Sequence, residues 1–278
     1  MRPSYRSFII CLLGLAMILG IPGPSTADSA SVPTPVPTLS SDDAALVAKV
    51  NSLYYNYKNL GLHKFKCEVK VSMFDNLLKM FQSQLKADDK RIKALKDVRF
   101  FMNYDEKNGY SFNYTNYNPT GDATTDDKLA RILQSVSQIT NGFWTSWEAL
   151  TFEPAIDPVK NSVTVKKTNT GYEIDEKNGA VQNANILDSN LLVTEGDVIS
   201  AEKPEAKITI KPVFTKTTDG LLVNNVATNI PDSMSTTMSI SYQTIQNFQM
   251  PSESDFAISQ LGSMKANVTL QFLNYQIN

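Results

Sequence analysis

Apolar residues recur at helical spacing in three stretches of this chain and alternate with polar ones through most of the rest. Leu46, Val50, Leu53 and Tyr57 fall three or four positions apart, with Val47 and Tyr54 widening the stripe, which predicts an amphipathic helix. Ser40-Ser41-Asp42-Asp43 offers N-cap oxygens and negative charge at its start, and Gly61 is the expected stop. The period then drops to two: Phe65, Cys67, Val69, Val71 and Met73 alternate with Lys66, Glu68 and Lys70, the pattern of a half-buried strand. A second helical stretch carries Leu77, Leu78, Phe81 and Leu85, then Ile92 and Leu95. Val98, Phe100, Met102 and Tyr104 alternate again and, after a turn, so do Tyr110, Phe112 and Tyr114. A third helix is expected from Thr125 through Leu129, Ile132, Leu133, Val136 and Ile139, ending at Asn141-Gly142 ahead of Phe143-Trp144-Thr145-Ser146-Trp147. From Ser162 onward only short alternating runs remain, among them Val163-Val165, Ile208-Ile210, Leu222-Val223, Met238-Ile240-Tyr242 and Val268-Leu270-Phe272.

One pentapeptide occurs twice, Asp105-Glu106-Lys107-Asn108-Gly109 and Asp175-Glu176-Lys177-Asn178-Gly179. Asn-Gly tolerates the positive φ that tight hairpins require, so two hairpins with the same turn are expected. A calcium loop fails on ligand spacing, because oxygen donors do not recur at alternate positions and no Glu closes the loop. The pattern as a whole predicts an α+β fold: a large curved antiparallel sheet, an incomplete β-barrel, with about three helices packed on its concave side.

Ahead of the first helix, Arg2 and Arg6 precede the apolar run Phe8 to Ile21, then Pro22-Gly23-Pro24 and the small residues Ser25-Thr26-Ala27. That is the layout of a cleaved signal peptide over residues 1–27, shorter than the roughly 20 apolar residues a membrane span needs. Cys11 lies inside the apolar run and not at a cleavage junction, so no lipid anchor is expected. Residues 28–40 read as a Ser/Thr/Pro-rich linker in extended geometry, and 41–278 as one domain. The expected location is outside the cytoplasm, periplasmic or extracellular.

Composition narrows the function classes. Formal net charge is −2, with 26 basic and 28 acidic side chains and no like-charge run, which argues against nucleic acid. After cleavage Cys67 is the single cysteine, expected to be buried in its strand. His63 is the single histidine, in a Gly-Leu-His-Lys turn, which removes multi-histidine metal sites and any histidine-bearing triad in which His63 is not itself the base; a solvated loop histidine is the expected reading. No phosphate loop, dinucleotide fingerprint or nucleophile elbow occurs. The acid pairs Asp42-Asp43, Asp88-Asp89 and Asp126-Asp127 fall where helix capping accounts for them. Asn113-Tyr114-Thr115 and Asn267-Val268-Thr269 match the glycosylation triplet. Catalytic residues, cofactors and metals are therefore not expected, and the chain reads as a non-enzyme.

Both tryptophans, Trp144 and Trp147, fall beside Phe143 and near Leu150. They form either an aromatic plug that seals a helix onto the sheet, or a lid over an apolar cavity. The closing segments carry a resemblance: Met238-Ser-Ile-Ser-Tyr242, then Phe248-Gln-Met250-Pro251, then Phe272-Leu-Asn-Tyr275-Gln-Ile-Asn278. Together with the leader, opening helix and long antiparallel second half, they make the chain similar to the outer-membrane lipoprotein-sorting, lipoprotein-carrier (LolA/LolB-like) superfamily. The resemblance implies a half β-barrel in the cell envelope that transports or senses lipid, acyl chains or lipoprotein, with an envelope membrane protein as a further partner. No individual functional residue of that family is carried over. The apolar strand faces supply the expected lining, Phe100, Met102, Phe112, Ile208, Ile210, Met238, Ile240 and Leu270, with Phe143, Trp144 and Trp147 from the aromatic cluster. The same residues would form a dry core if the helices fill the concave side. The alternative function is then a protein-protein interaction module with a filled core and no ligand.

Overall fold

The computed structural model describes residues 39–201, 203–260 and 265–278. The expected signal segment and the linker up to Thr38 lie outside the described residues. Four helices are described, α1 (Ser41–Leu53), α2 (Ser72–Gln84), α3 (Lys90–Leu95) and α4 (Ala123–Thr151). The strands are β1 (Lys64–Val71), β2 (Arg99–Asp105), β3 (Gly109–Thr115), β4 (Ser162–Lys167), β5 (Gly171–Asn178), β6 (Val181–Asp188), β7 (Val193–Ser200), β8 (Lys203–Thr217), β9 (Gly220–Ile230), β10 (Met234–Ile245), β11 (Phe248–Gln260) and β12 (Lys265–Ile277). All twelve form one antiparallel sheet in the order β3-β2-β1-β12-β11-β10-β9-β8-β7-β6-β5-β4, not closed into a barrel. The α+β architecture with a curved open sheet is thus the one the alternation predicts.

This order has a mechanical consequence. Strands β3 and β4 are consecutive in sequence but occupy opposite edges, so the segment joining them must cross the whole sheet. Helix α4 is that crossing. Its 29 residues make a rod about 43 Å long, against a twelve-strand width of about 53 Å. Its inward stripe, Leu129, Leu133, Val136, Ile139, Phe143, Trp144 and Trp147, is fully buried. The opposing surface is Phe65, Cys67 and Val69 of β1, Phe100, Met102 and Tyr104 of β2, and Leu270 and Phe272 of β12, with Met238 and Ile240 of β10 in the same cluster.

Strand β1 ends at Val71, so Met73 lies in the first turn of α2 and not on the strand, and three helix boundaries also differ from the sequence expectation. Helix α4 does not stop at Asn141-Gly142 but runs through it, because Phe143, Trp144 and Trp147 extend the buried stripe and their packing outweighs the roughly 1 kcal/mol penalty of a helical glycine. The second helical stretch breaks after Gln84 and restarts at Lys90, where Asp89 caps α3 by accepting from the Arg91 amide at 2.9 Å. Helix α1 ends at Leu53 and not near Gly61. Tyr54 turns extended, and the Tyr55 amide donates to the Leu221 carbonyl at 3.0 Å, so the tyrosines join the sheet core. Gly220 permits that approach, since a Cβ there would lie 2.8 Å from the Tyr55 nitrogen.

The acid pairs lie at helix starts, where Asp89 is a cap and Asp42, Asp43 and Asp126 sit in first turns capped by Ser40 and Asp122. Asp43 accepts from the Ser40 hydroxyl at 2.7 Å while its amide donates back, and the Thr125 amide donates to Asp122 at 2.8 Å. Asp126 accepts from the Thr120 amide at 2.7 Å. Cys67 is buried, and burial pushes its thiol up to about 12. His63 is exposed, 2.7 Å from the Glu106 carboxylate.

Candidate functional site

The apolar interior is divided. A large cluster lies beneath α4, and a smaller one, Val47, Val50, Ile156, Val163, Ile174, Leu187 and Leu191, lies beneath α1. Strand β6 shows why they stay apart. Its inward positions alternate Val181, Asn183, Asn185, Leu187: the first packs on the large cluster, the last belongs to the small one, and the two between are amides. On the neighbouring β5, Glu176 follows Ile174 on the same face and is 1 % exposed. The result is a polar seam across an otherwise apolar surface.

A cavity of about 140 Å³ opens at this seam, between the C-terminal end of α4 and strands β6 to β8. Tyr54, Leu150, Val198, Ile210 and Phe214 give it apolar walls, while Asn183 and Asn185 supply the polar ones. Glu153, Asp157 and the half-exposed Lys160 border it from the segment after α4. That segment is held firmly. Asn51 of α1 pairs with the Ile156 backbone in both directions, at 2.8 and 2.9 Å. Glu153 accepts from Lys58 at 2.6 Å and from Lys160 at 2.9 Å; burial opposes its ionisation, but these two ammonium groups outweigh burial and hold its carboxyl below the usual range.

Glu176 stands behind the cavity wall and organises it. Its carboxylate accepts from the Asp157 amide at 2.9 Å, from Asn161 Nδ2 at 2.7 Å and from Asn185 Nδ2 at 3.0 Å. Burial pushes its pKa up; the three donors oppose that shift without cancelling it, and the nearby Asp157 charge adds to it. The seam is therefore a cross-braced set of acids and amides with no nucleophile placed against a base. Among the described residues no group of three or more His, Cys, Asp or Glu is arranged to hold a metal ion.

Most of the lining expected from sequence lies elsewhere. Phe100, Met102, Phe143, Trp144, Trp147, Met238, Ile240 and Leu270 are buried in the large cluster, and Phe112 and Ile208 pack on it partly exposed. Ile210 does line the cavity. Phe100 also reaches a wider groove of about 800 Å³ beside β1 and α2, but Glu68, Lys70, Asp97 and Arg99 make that groove chiefly polar. The aromatic cluster is the plug, not an empty lid: Trp144 stacks on Tyr110 at 4.7 Å and Phe143 meets Phe272 at 4.7 Å. Glu176, Asn183 and Asn185 are absent from a reading by apolar alternation alone. The signal was present in Val181-Gln-Asn-Ala-Asn-Ile-Leu187, where amides occupy the positions that continue an apolar face. No family model, no curated protein and no solved structure matches this chain.

Proposed function

We propose that the chain is a non-enzymatic binding protein whose ligand is an apolar group, an acyl chain or lipid, inserted beneath the C-terminal end of α4. The supporting observation is the cavity at the seam, apolar-walled with convergent polar groups, the combination that marks ligand sites. Size limits what enters. A cavity of about 140 Å³ is close to the engineered cavity that takes one benzene and below the roughly 300–1,000 Å³ of drug-sized pockets. The closed form therefore holds a chain end or one ring, and a whole acyl chain requires α4 or the segment 152–160 to move outward. Export to the cell envelope, as the leader suggests, would place the protein where such ligands occur.

The test is native mass spectrometry with organic extraction of the full chain expressed with export to a bacterial periplasm. A co-purifying acyl species, absent from Leu150→Trp, which fills the cavity without adding charge, is the expected result. A clean apo mass and no uptake of a fluorescent acyl chain, offered as the fatty alcohol and the fatty amide as well as the fatty acid, sinks this reading. It would leave the interaction module in front, which the solid packing beneath α4 favours.

A further inference from the structure

Asn183 is 7 % exposed and lines the cavity, yet its side-chain carbonyl Oδ1 accepts no hydrogen bond among the described residues. Its neighbours explain why. Asn185, two residues on, gives its Nδ2 to Glu176, and Asn183 faces Val198 across the ladder and Glu176 on the other side. A carboxylate and an aliphatic side chain bring no donor. The acidic groups Glu153 and Asp157 border the same space, and Lys160 is already shared between them.

Water can meet such an oxygen in a cavity of this size, but an entering apolar group expels it. An unmet buried acceptor is then penalised more than a made bond is rewarded. Resting on the binding reading above, we infer that the cavity selects ligands which carry a hydrogen-bond donor, a hydroxyl, amide N–H or ammonium, directly attached to the apolar group, and rejects carboxylates. The donor meets Asn183 Oδ1; the ring or chain end lies against Leu150, Ile210 and Phe214. A free fatty acid presenting its carboxylate here finds an unmet acceptor and the acids Glu153, Asp157 and Asp197, with Lys160 already shared between the first two, so the occupant is an alcohol, amide or amine type of amphiphile.

Four ring-sized probes separate these terms in a ¹H–¹⁵N NMR titration of the protein: benzyl alcohol, benzylamine, benzyl methyl ether and benzoate. The alcohol and amine should bind about tenfold more tightly than the ether, which corresponds to 1.4 kcal/mol, and benzoate should leave the amides of β6 and β7 unshifted. Asn183→Leu should bring alcohol and ether to equal affinity. The wild-type panel alone decides the matter if that variant fails to fold. Ether binding as well as alcohol, or benzoate binding best, overturns the donor preference while leaving the cavity a ligand site. No shift from any probe at β6 and β7 overturns it too, and lipid extraction then judges the carrier reading separately.

Discussion

Glu176 gives the sharpest test of the seam. Replacing it with Ala strips an acceptor from three donors, two of which, the Asp157 amide and Asn161 Nδ2, belong to residues that are 9 % and 1 % exposed. Each sealed donor left unmet costs about 1–3 kcal/mol. Removing a partly desolvated charge offsets some of that, so Glu176→Ala should lose about 3 kcal/mol. Glu176→Gln behaves differently. Its oxygen keeps the Asp157 and Asn161 donors, and its amide faces Asn185, whose own amide turns over to present Oδ1. That variant should lie within about 1 kcal/mol of wild type. The pH dependence separates both variants from wild type. Because burial holds the carboxyl above its ordinary 4.5, the native state binds this proton more tightly than the unfolded chain. Stability from this group therefore rises as pH falls from the raised native value toward 4.5 and is complete below it. Glu176→Gln removes that rise. Urea unfolding followed by tryptophan fluorescence at pH 5 and pH 8 measures both effects, with unchanged m-values as the control. Alanine within 1 kcal/mol of wild type, or a Gln variant with the wild-type pH slope, would refute the role assigned to the seam.

Other perturbations probe the crossing helix and the sheet. Trp147→Ala removes a fully buried ring that meets Tyr57, Phe65, Phe143, Trp144 and Phe152 at 5.0 to 6.1 Å; it should lower stability by about 3–5 kcal/mol in urea unfolding and flatten the near-ultraviolet dichroism. Gly171→Ala puts a Cβ 2.1 Å from the Leu187 carbonyl oxygen, so β5 must move off β6. A loss of about 1–3 kcal/mol and faster amide exchange at Gly171 to Ile174 are expected. Cys67, with its thiol raised by burial to about 12, should resist a thiol reagent in native Cys11→Ser protein and react in one step in 6 M guanidinium.

Legibility in the sequence followed the local physics. Where one face is apolar and the other polar, as in β1 and β2, alternation alone placed the inward residues, since a one-residue slip would expose the whole set; in β12 it placed Val268, Leu270 and Phe272, but a positive φ at Asn274 shifts the phase and brings Tyr275 and Ile277 to the core. Helix α4 shows the limit. Asn141-Gly142 is a sound local stop, and only the facing surface of Phe65, Tyr104 and Phe272 makes continuation favourable. The candidate cavity was least legible, because its polar residues follow the inward period and apolar patterning treats them as interruptions.

The repeated pentapeptide makes the division plain. Asp105 to Gly109 is a hairpin turn: Asp105 pairs with Gly109, and backbone amides of Asn108 and Lys107 hold its carboxyl below the usual range. Asp175 to Asn178 lies inside β5, with the turn displaced to Gly179-Ala180, and Glu176 is buried at the seam with its pKa raised. Both copies lie at a hairpin for a local reason, because Asn-Gly accepts positive φ in any context. The sheet with one polar face is legible for the same kind of reason, since period-two patterning is a local property. Register, the path of α4 and the burial of one glutamate are not local properties. Each depends on which surface lies opposite, and that surface comes from residues far away in the chain.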